Sequence, residues 1–297
     1  MRNIVAIVVT YNRKELLKEC INALKKQTTH LTKILIIDNH STDGTKEYIK
    51  DELSDEKVCY EYLEENIGGA GGFNIGIRKA VELGGDYLWI MDDDTIPENN
   101  SLSELLETST QLGDDFGFLA SKVLWKDGTP CLMNIPKVNE DWIYQSEYLT
   151  QGLLQLESAS FVSLFVRKDA VMKCGLPIRE FFIWGDDVEY TSRLSKDYKN
   201  YYCEKSVVVH KMNVNERTDI YTDSGTRLRR YEYLFRNMAY TANQRGFLGT
   251  LKYTLRGIMT SLKIIFRAKD KRLMRAGIVL KGVWKGIFFN PKIEYIK

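Results

Sequence analysis

The chain has 297 residues, 44% hydrophobic and 28% charged, with 42 Lys+Arg against 40 Asp+Glu for a net charge of +2. This composition excludes a mostly disordered chain, and no apolar run approaches the roughly 18–20 residues that cross a bilayer. Five scattered cysteines (Cys20, Cys59, Cys131, Cys174, Cys203), odd in number and never spaced CxxC, argue against a disulfide framework or a cysteine zinc site and fit a reducing cytosol.

Residues 4–9 form a continuous, mostly β-branched apolar run, the pattern of a strand covered on both faces. Arg2 is the only charged residue before the run and no small-residue cleavage site follows it, so no secretory signal is expected. Leu16, Leu17, Cys20 and Leu24 then recur at helical spacing. Residues 33–37 read as a second buried strand, ending in the polar turn 38–44, a good N-terminus for a helix near Thr45. Residues 58–62 predict a third strand, followed by a glycine-rich stretch and a helix from about Asn74 to Leu83. A fourth strand at 86–91 runs straight into Asp92-Asp93-Asp94. Further on, 161–166 predicts a strand, 167–174 a short helix, 188–195 a helix after Gly185-Asp186-Asp187, and 207–209 a strand ending at His210. The alternation predicts an α/β fold with a mostly parallel sheet, whose polar loops converge at the carboxyl ends of the strands. A nucleotide-type ligand is expected there.

The near-neutral total hides a division of charge. Residues 1–226 hold 25 Lys+Arg and 37 acidic residues, a balance of −12, whereas 227–297 hold 17 Lys+Arg and 3 acidic residues, a balance of +14. Two units are therefore expected, at 1–225 and 226–297. In the second, Phe247, Leu251, Leu255, Ile258, Leu262 and Ile265 step by three or four beside Lys252, Arg256, Lys263 and Arg267. A similar stripe runs through Met274, Ile278, Val283, Trp284, Ile287 and Phe288. Basic amphipathic helices with aromatic tips suit a membrane interface, and the acidic first unit disfavours nucleic acid.

Four constellations could carry chemistry. In an extended stretch Asp92 and Asp94 point the same way, and carboxylates packed at a strand end call for a hard cation such as Mg²⁺ or Mn²⁺ that also holds phosphate oxygens. The same string would also serve as a solvated turn capping the next helix. Residues 66–76 carry five glycines in nine positions, which allow close approach of backbone to a ligand or simply a flexible turn. Trp184, Asp186 and Asp187 offer a stacking platform and a candidate base at a helix start, where an Asp can equally be a cap. His210, after the valine run, could complete a metal shell, while His30 and His40 take a structural role.

The ordered set IVVTYNR at 7–13, IIDNHSTDGT at 36–45, ENIGGAGGFNIG at 65–76, MDDD at 91–94 and FIWGDDVEY at 182–190 resembles family 2 inverting glycosyltransferases with the GT-A fold. The glycine string and the Trp-Gly-Asp-Asp segment are most similar to bacterial galactofuranosyltransferases. The resemblance implies transfer from a nucleotide sugar with inversion. It places Thr10, Arg13, Asp38, Asn66, Gly68, Gly69 and Asp93 at the donor, and Asp92, Asp94 and His210 on Mn²⁺ or Mg²⁺. Asp187 would be the base, with Asp186 and Trp184 at the acceptor. UDP-galactofuranose is the expected donor, with dTDP-rhamnose or a UDP-hexopyranose as alternatives and a catalytically silent binding module less favoured. The expected acceptor is a lipid-linked glycan, reached by an enzyme that is cytoplasmic and peripheral on the inner face of the cell membrane. The chain opens almost at its first strand, without the flanking domains of polymerising enzymes, so addition of one or a few residues is expected.

Overall fold

A computed structural model describes residues 2–297. Strand β1 (Ile4–Thr10) is buried along its whole length. It lies between β2 (Lys33–Asp38) and β4 (Tyr87–Asp92), parallel to both, with Val8 opposite Ile36 and Met91. The β-branched run therefore has apolar cover on both faces. Parallel β3 (Val58–Tyr62) completes the first half of the sheet. Helices α1 (Lys14–Lys25), α2 (Thr45–Tyr48) and α3 (Gly68–Glu82) connect these strands.

The second half is mixed. Short β5 (Thr95–Pro97) and α4 (Ser101–Gln111) lead to β6 (Phe118–Trp125), β7 (Lys137–Val138), β8 (Leu153–Ser158) and β9 (Leu164–Arg167). After α5 (Lys168–Cys174) and α6 (Asp186–Leu194) comes β10 (Tyr201–His210). The sheet order is β3-β2-β1-β4-β9-β6-β10-β8-β7, with β5 paired to β10. The expected parallel pairing holds across β3-β2-β1-β4 and between β6 and β10, while β9 runs antiparallel to both its neighbours. Residues 160–162 line a cleft beyond the end of β4, so the chain enters β9 from the end where β4 stops and must run the other way. The expected strand at 161–166 accordingly begins only at Leu164, because Ser163 turns in the left-handed region at φ 58°.

The glycine-rich stretch is helix from Gly68 onward, contrary to the expected loop with a helix starting at Asn74. Its glycines serve contact rather than flexibility. A Cβ on Gly72 would sit 2.7 Å from Val9 Cγ1, and one on Gly76 would sit 2.6 Å from Ile7 Cγ2. Helix α3 thus rides on the sheet closer than any side chain allows, which brings its N-terminus to the strand ends. Gly69 faces open space.

Beyond β10 come three helices, α7 (Gly225–Asn243), α8 (Phe247–Arg267) and α9 (Arg272–Phe288). Two coincide with the apolar stripes, and α7 has no counterpart among the expected elements. They pack through small residues: Gly257 meets Val283, and Gly282 and Gly286 meet the backbone of Glu232 and Arg236. Buried Arg275 donates to the carbonyls of Ile220 (2.8 Å) and Asp223 (2.7 Å), tying the segment before α7 to α9. Beyond α9 the chain returns to the sheet layer, where Leu176 N–H donates to Glu294 O at 2.8 Å and Arg78 pairs with the Glu294 carboxylate. Among the described residues no helix is long and apolar enough to cross a membrane.

The two glycine environments predict opposite outcomes for one substitution. Gly76→Ala should cost about 1–3 kcal/mol through overpacking against Ile7 and Ile37, whereas Gly69→Ala should be neutral or stabilise by up to about 1 kcal/mol. Thermal unfolding of the two variants checks this.

Candidate active site

Strand β4 ends at Asp92, and the chain turns so that Asp93 and Asp94 are both buried. Their charge is met from three sides. Arg13, just past β1, donates to Asp94 Oδ2 at 2.6 Å and to Asp93 Oδ1 at 3.3 Å. The Thr10 hydroxyl donates to Asp93 Oδ2 at 2.7 Å. At the end of β10, His210 Nε2 lies 3.0 Å from Asp94 Oδ1, and its Nδ1 lies 2.7 Å from Asn134 Oδ1. Pairing of β10 with β5, with His210 opposite Thr95, sets that register.

The protonation pattern follows from burial and these contacts. Burial pushes Asp92 up to about 6, helped by Asp94, and pushes Asp93 up to about 7 against the pull of Arg13. Asp94 is buried too, but its bond to His210 and the nearby Arg13 hold it below the usual carboxylate range. Burial alone would lower His210; the hydrogen bond to Asp94 outweighs it and raises the imidazole to about 10. Both ring nitrogens face oxygen acceptors, so an imidazolium and a guanidinium balance the acidic cluster.

Across the cleft, the loop before α6 presents Trp184, Asp186 and Asp187. Its backbone is constrained: Phe182 and Trp184 have φ of 65° and 63°, and Gly185 has φ 87°. Burial raises Asp187 to about 6 and Asp186 well above the ordinary value, the latter helped by the Asp187 charge. Asp187 Oδ1 accepts its neighbour Val188 N–H at 2.8 Å in the first turn of α6. The N-cap of α6 is Gly185 and no side chain caps the helix, so neither Asp186 nor Asp187 is taken up as a cap and both line the cleft.

The cleft between these groups holds about 570 Å³. Of the residues singled out in the sequence, Arg13, Gly69, Asp92, Asp94, Trp184, Asp186, Asp187 and His210 stand on its wall. Thr10 and Asp93 lie beneath it, bonded to each other. Asp38 is fully buried, accepting from Tyr60 Oη and from Ser41 N–H, so it organises the turn after β2. Asn66 accepts from Asn39 and from Gly68 N–H, and Gly68 presses against the Phe182 carbonyl. These last three shape the wall from behind.

Other wall residues had no signal as single residues. Asn134 orients His210 from an irregular segment after β6. Thr226, Arg227 and Arg230 come from the first turns of α7. Part of the positive charge assigned to a membrane surface therefore faces the acidic cleft.

The donor set suits a hard divalent cation. Ligand atoms of Asp92, Asp94 and His210 lie within 4.8 Å of one another. Two carboxylates and an imidazole that gives up its Nε2 proton on ligation could hold such an ion, and Asn134 on the second ring nitrogen is the outer-shell acceptor that orients the ring.

Known proteins resemble this chain in sequence and fold. The model of the family "Glycosyl transferase family 2" matches residues 5–121. The chain is 27% identical over 268 residues to galactofuranosyltransferase GlfT1 of Mycolicibacterium smegmatis, covering 81% of this chain and 83% of that one. It is 28% identical over 195 residues to the dTDP-rhamnosyl transferase RfbF of Shigella flexneri, covering 64% and 62%. A crystal structure of GalNAc-T7 with UDP, GalNAc and Mn²⁺ superposes with a TM-score of 0.63 at 15% identity, over 82% of this chain and 48% of that one.

Ionising half-buried Asp187 costs stability, because its folded value of about 6 lies above the ordinary 3.8 of the unfolded chain: the cost is absent below the unfolded value, grows between the two and is complete above about 6. Asp187→Asn should therefore raise stability at pH 7.5 by about 1–3 kcal/mol and lose that advantage progressively as pH falls through about 6 to below about 4, read by thermal unfolding at both ends of that window.

Proposed function

We propose that the chain, as a family 2 glycosyltransferase with the GT-A fold, transfers galactofuranose from UDP-galactofuranose, with inversion, to a hydroxyl of a lipid-linked glycan. The observation that carries the transferase chemistry is the opposition, in one cleft, of Asp92, Asp94 and His210 to Asp186 and Asp187. The similarity to GlfT1 supports the donor sugar. The similarity to RfbF keeps dTDP-rhamnose as the second reading.

Asp92, Asp94 and His210 would hold Mn²⁺ or Mg²⁺, which when bound stabilises the negative charge developing on the departing diphosphate. Arg13, Arg227 and Arg230 on the same wall add fixed positive charge toward that anion. Asp187 accepts the proton of the acceptor hydroxyl as its oxygen attacks the anomeric carbon. The bond from that carbon to the diphosphate oxygen breaks, and the electron pair leaves with the nucleotide. Trp184 offers a ring for the sugar face, and Asp186 positions the acceptor.

Incubation with Mn²⁺ and a donor panel, read as nucleotide release with water as the default acceptor, tests this. UDP-galactofuranose should turn over at least about tenfold faster than UDP-galactose; a faster dTDP-rhamnose would establish the second reading. Asp187→Asn should lower kcat by about 10²–10⁴-fold while UDP still binds. Because the base works ionised, kcat/KM should fall as pH drops below about 6.

The same proposal places the enzyme at the inner membrane surface. Helices α8 and α9 leave Leu248, Leu255, Leu262, Phe266, Trp284 and Phe288 exposed, beside a strongly basic composition. Anionic lipid attracts such a surface with up to about 1 kcal/mol per basic residue, and the apolar side chains insert. The protein should co-sediment with vesicles rich in phosphatidylglycerol. Phe266→Glu with Trp284→Glu should abolish sedimentation and leave nucleotide release intact. Unchanged sedimentation would refute the membrane assignment.

A further inference from the structure

The loop that carries Trp184 and leads into Asp186 and Asp187 is not held by its own unit alone. Phe182, at φ 65° and ψ −59°, sits at the centre of a three-residue turn closed by Ile183 N–H donating to Phe181 O at 2.7 Å. That conformation is rare and strained for a residue with a side chain. Trp184 follows at φ 63°. Two such residues within three positions relax unless neighbouring groups over-determine them.

The neighbours come from two directions. On one side Ala70 N–H donates to Phe182 O at 3.2 Å, an approach open only because Gly68 has no Cβ. On the other side stands Asn237, fully buried in the middle of α7. Its single Nδ2 faces three carbonyls of the loop: Phe181 at 3.0 Å, Ile183 at 3.3 Å and Trp184 at 2.8 Å. Its Oδ1 accepts from Arg236 Nε at 3.0 Å and from its Nη2 at 2.9 Å, which fixes the amide's orientation. Arg236 Nη2 also donates to Glu180 O (2.7 Å) and Phe181 O (3.1 Å). Packing of Gly286 against the Arg236 carbonyl holds this stretch of α7 against α9.

We propose that Asn237, oriented by Arg236, is a positioning residue for the base: it holds the strained 181–185 loop so that Asp187 and Trp184 face the acceptor side of the cleft. The C-terminal helices are thereby part of the catalytic apparatus as well as a basic surface. This rests on the transferase reading above, in which Asp187 takes the proton. Asn237 is absent from the cleft wall and acts only through the loop.

The test uses the full chain and measures Mn²⁺-dependent release of UDP from UDP-galactofuranose, with UDP binding followed by calorimetry. Asn237→Ala should lower kcat at least about 30-fold, with donor KM and UDP affinity within threefold of the parent, because Arg13, Asp92, Asp94 and His210 are untouched. A general loss of structure would instead move KM and affinity together. Adding Phe182→Gly, which makes the left-handed turn cheap, should restore at least about fivefold of the lost kcat. An Asn237→Ala enzyme with kcat within threefold of the parent overturns the proposal, as does a double variant with no recovery. Should Asn237→Ala fail to fold, Arg236→Leu decides: the same split at about 3–30-fold supports the assignment, and an unchanged kcat refutes it. If the parent releases no nucleotide from any donor, the transferase reading itself fails, a result distinct from these.

Discussion

Like charges crowded out of water govern this molecule. Asp92, Asp93 and Asp94 end a strand inside the protein, and Asp186 and Asp187 approach from the far wall. Such a set persists only where positive groups are fixed around it. Arg13 from the turn after β1 and His210 from the end of β10 supply them, so elements distant in sequence are ordered by one electrostatic requirement. The sheet topology brings those strand ends together. The same groups that repel one another here are the ones that a cation and a diphosphate would satisfy, so the site's instability and its chemistry share a cause.

Much of the framework was legible because it rests on local patterns. The β-branched run at 4–9, the carboxylates placed directly after an apolar strand, and His210 after three valines each announce a strand end with a polar tip, and the structure gathers them in one cleft. The glycine-rich stretch misled because glycine is a poor helix former in isolation. Its value lies in distance to Val9 and Ile7, a tertiary quantity that propensity does not contain. The reversal of β9 was hidden for a similar reason, since the direction of a strand depends on where the cleft lies.

Helix α7 marks the limit of pattern reading. Its sequence, with arginines and tyrosines distributed around the helix, presents no clean apolar stripe, and its charge merges with that of the following helices. Yet Arg227 and Arg230 reach the cleft, and Asn237 reaches the loop before α6. An asparagine that serves main-chain carbonyls belongs to no motif; its partners are shapes of backbone, which sequence specifies only through folding. Arg275 is of the same kind, a buried guanidinium spent on two carbonyls of the segment preceding α7.

The packing of α7, α8 and α9 sets close seams of small residues around a modest apolar core that includes Leu228, Tyr231, Ile264, Val279 and Val283. Glycine and serine occupy the seams, where Gly257, Ser261, Gly282 and Gly286 let the backbones nearly touch, while Phe247, Phe266, Leu273 and Trp284 point outward. Close seams give rigidity without consuming large side chains, so the bundle keeps its shape while its greasiest atoms stay available to the surroundings. In dilute aqueous buffer those atoms have only one another to meet. A contiguous apolar surface of that kind is a marker of an interaction face rather than of ordinary solvent contact.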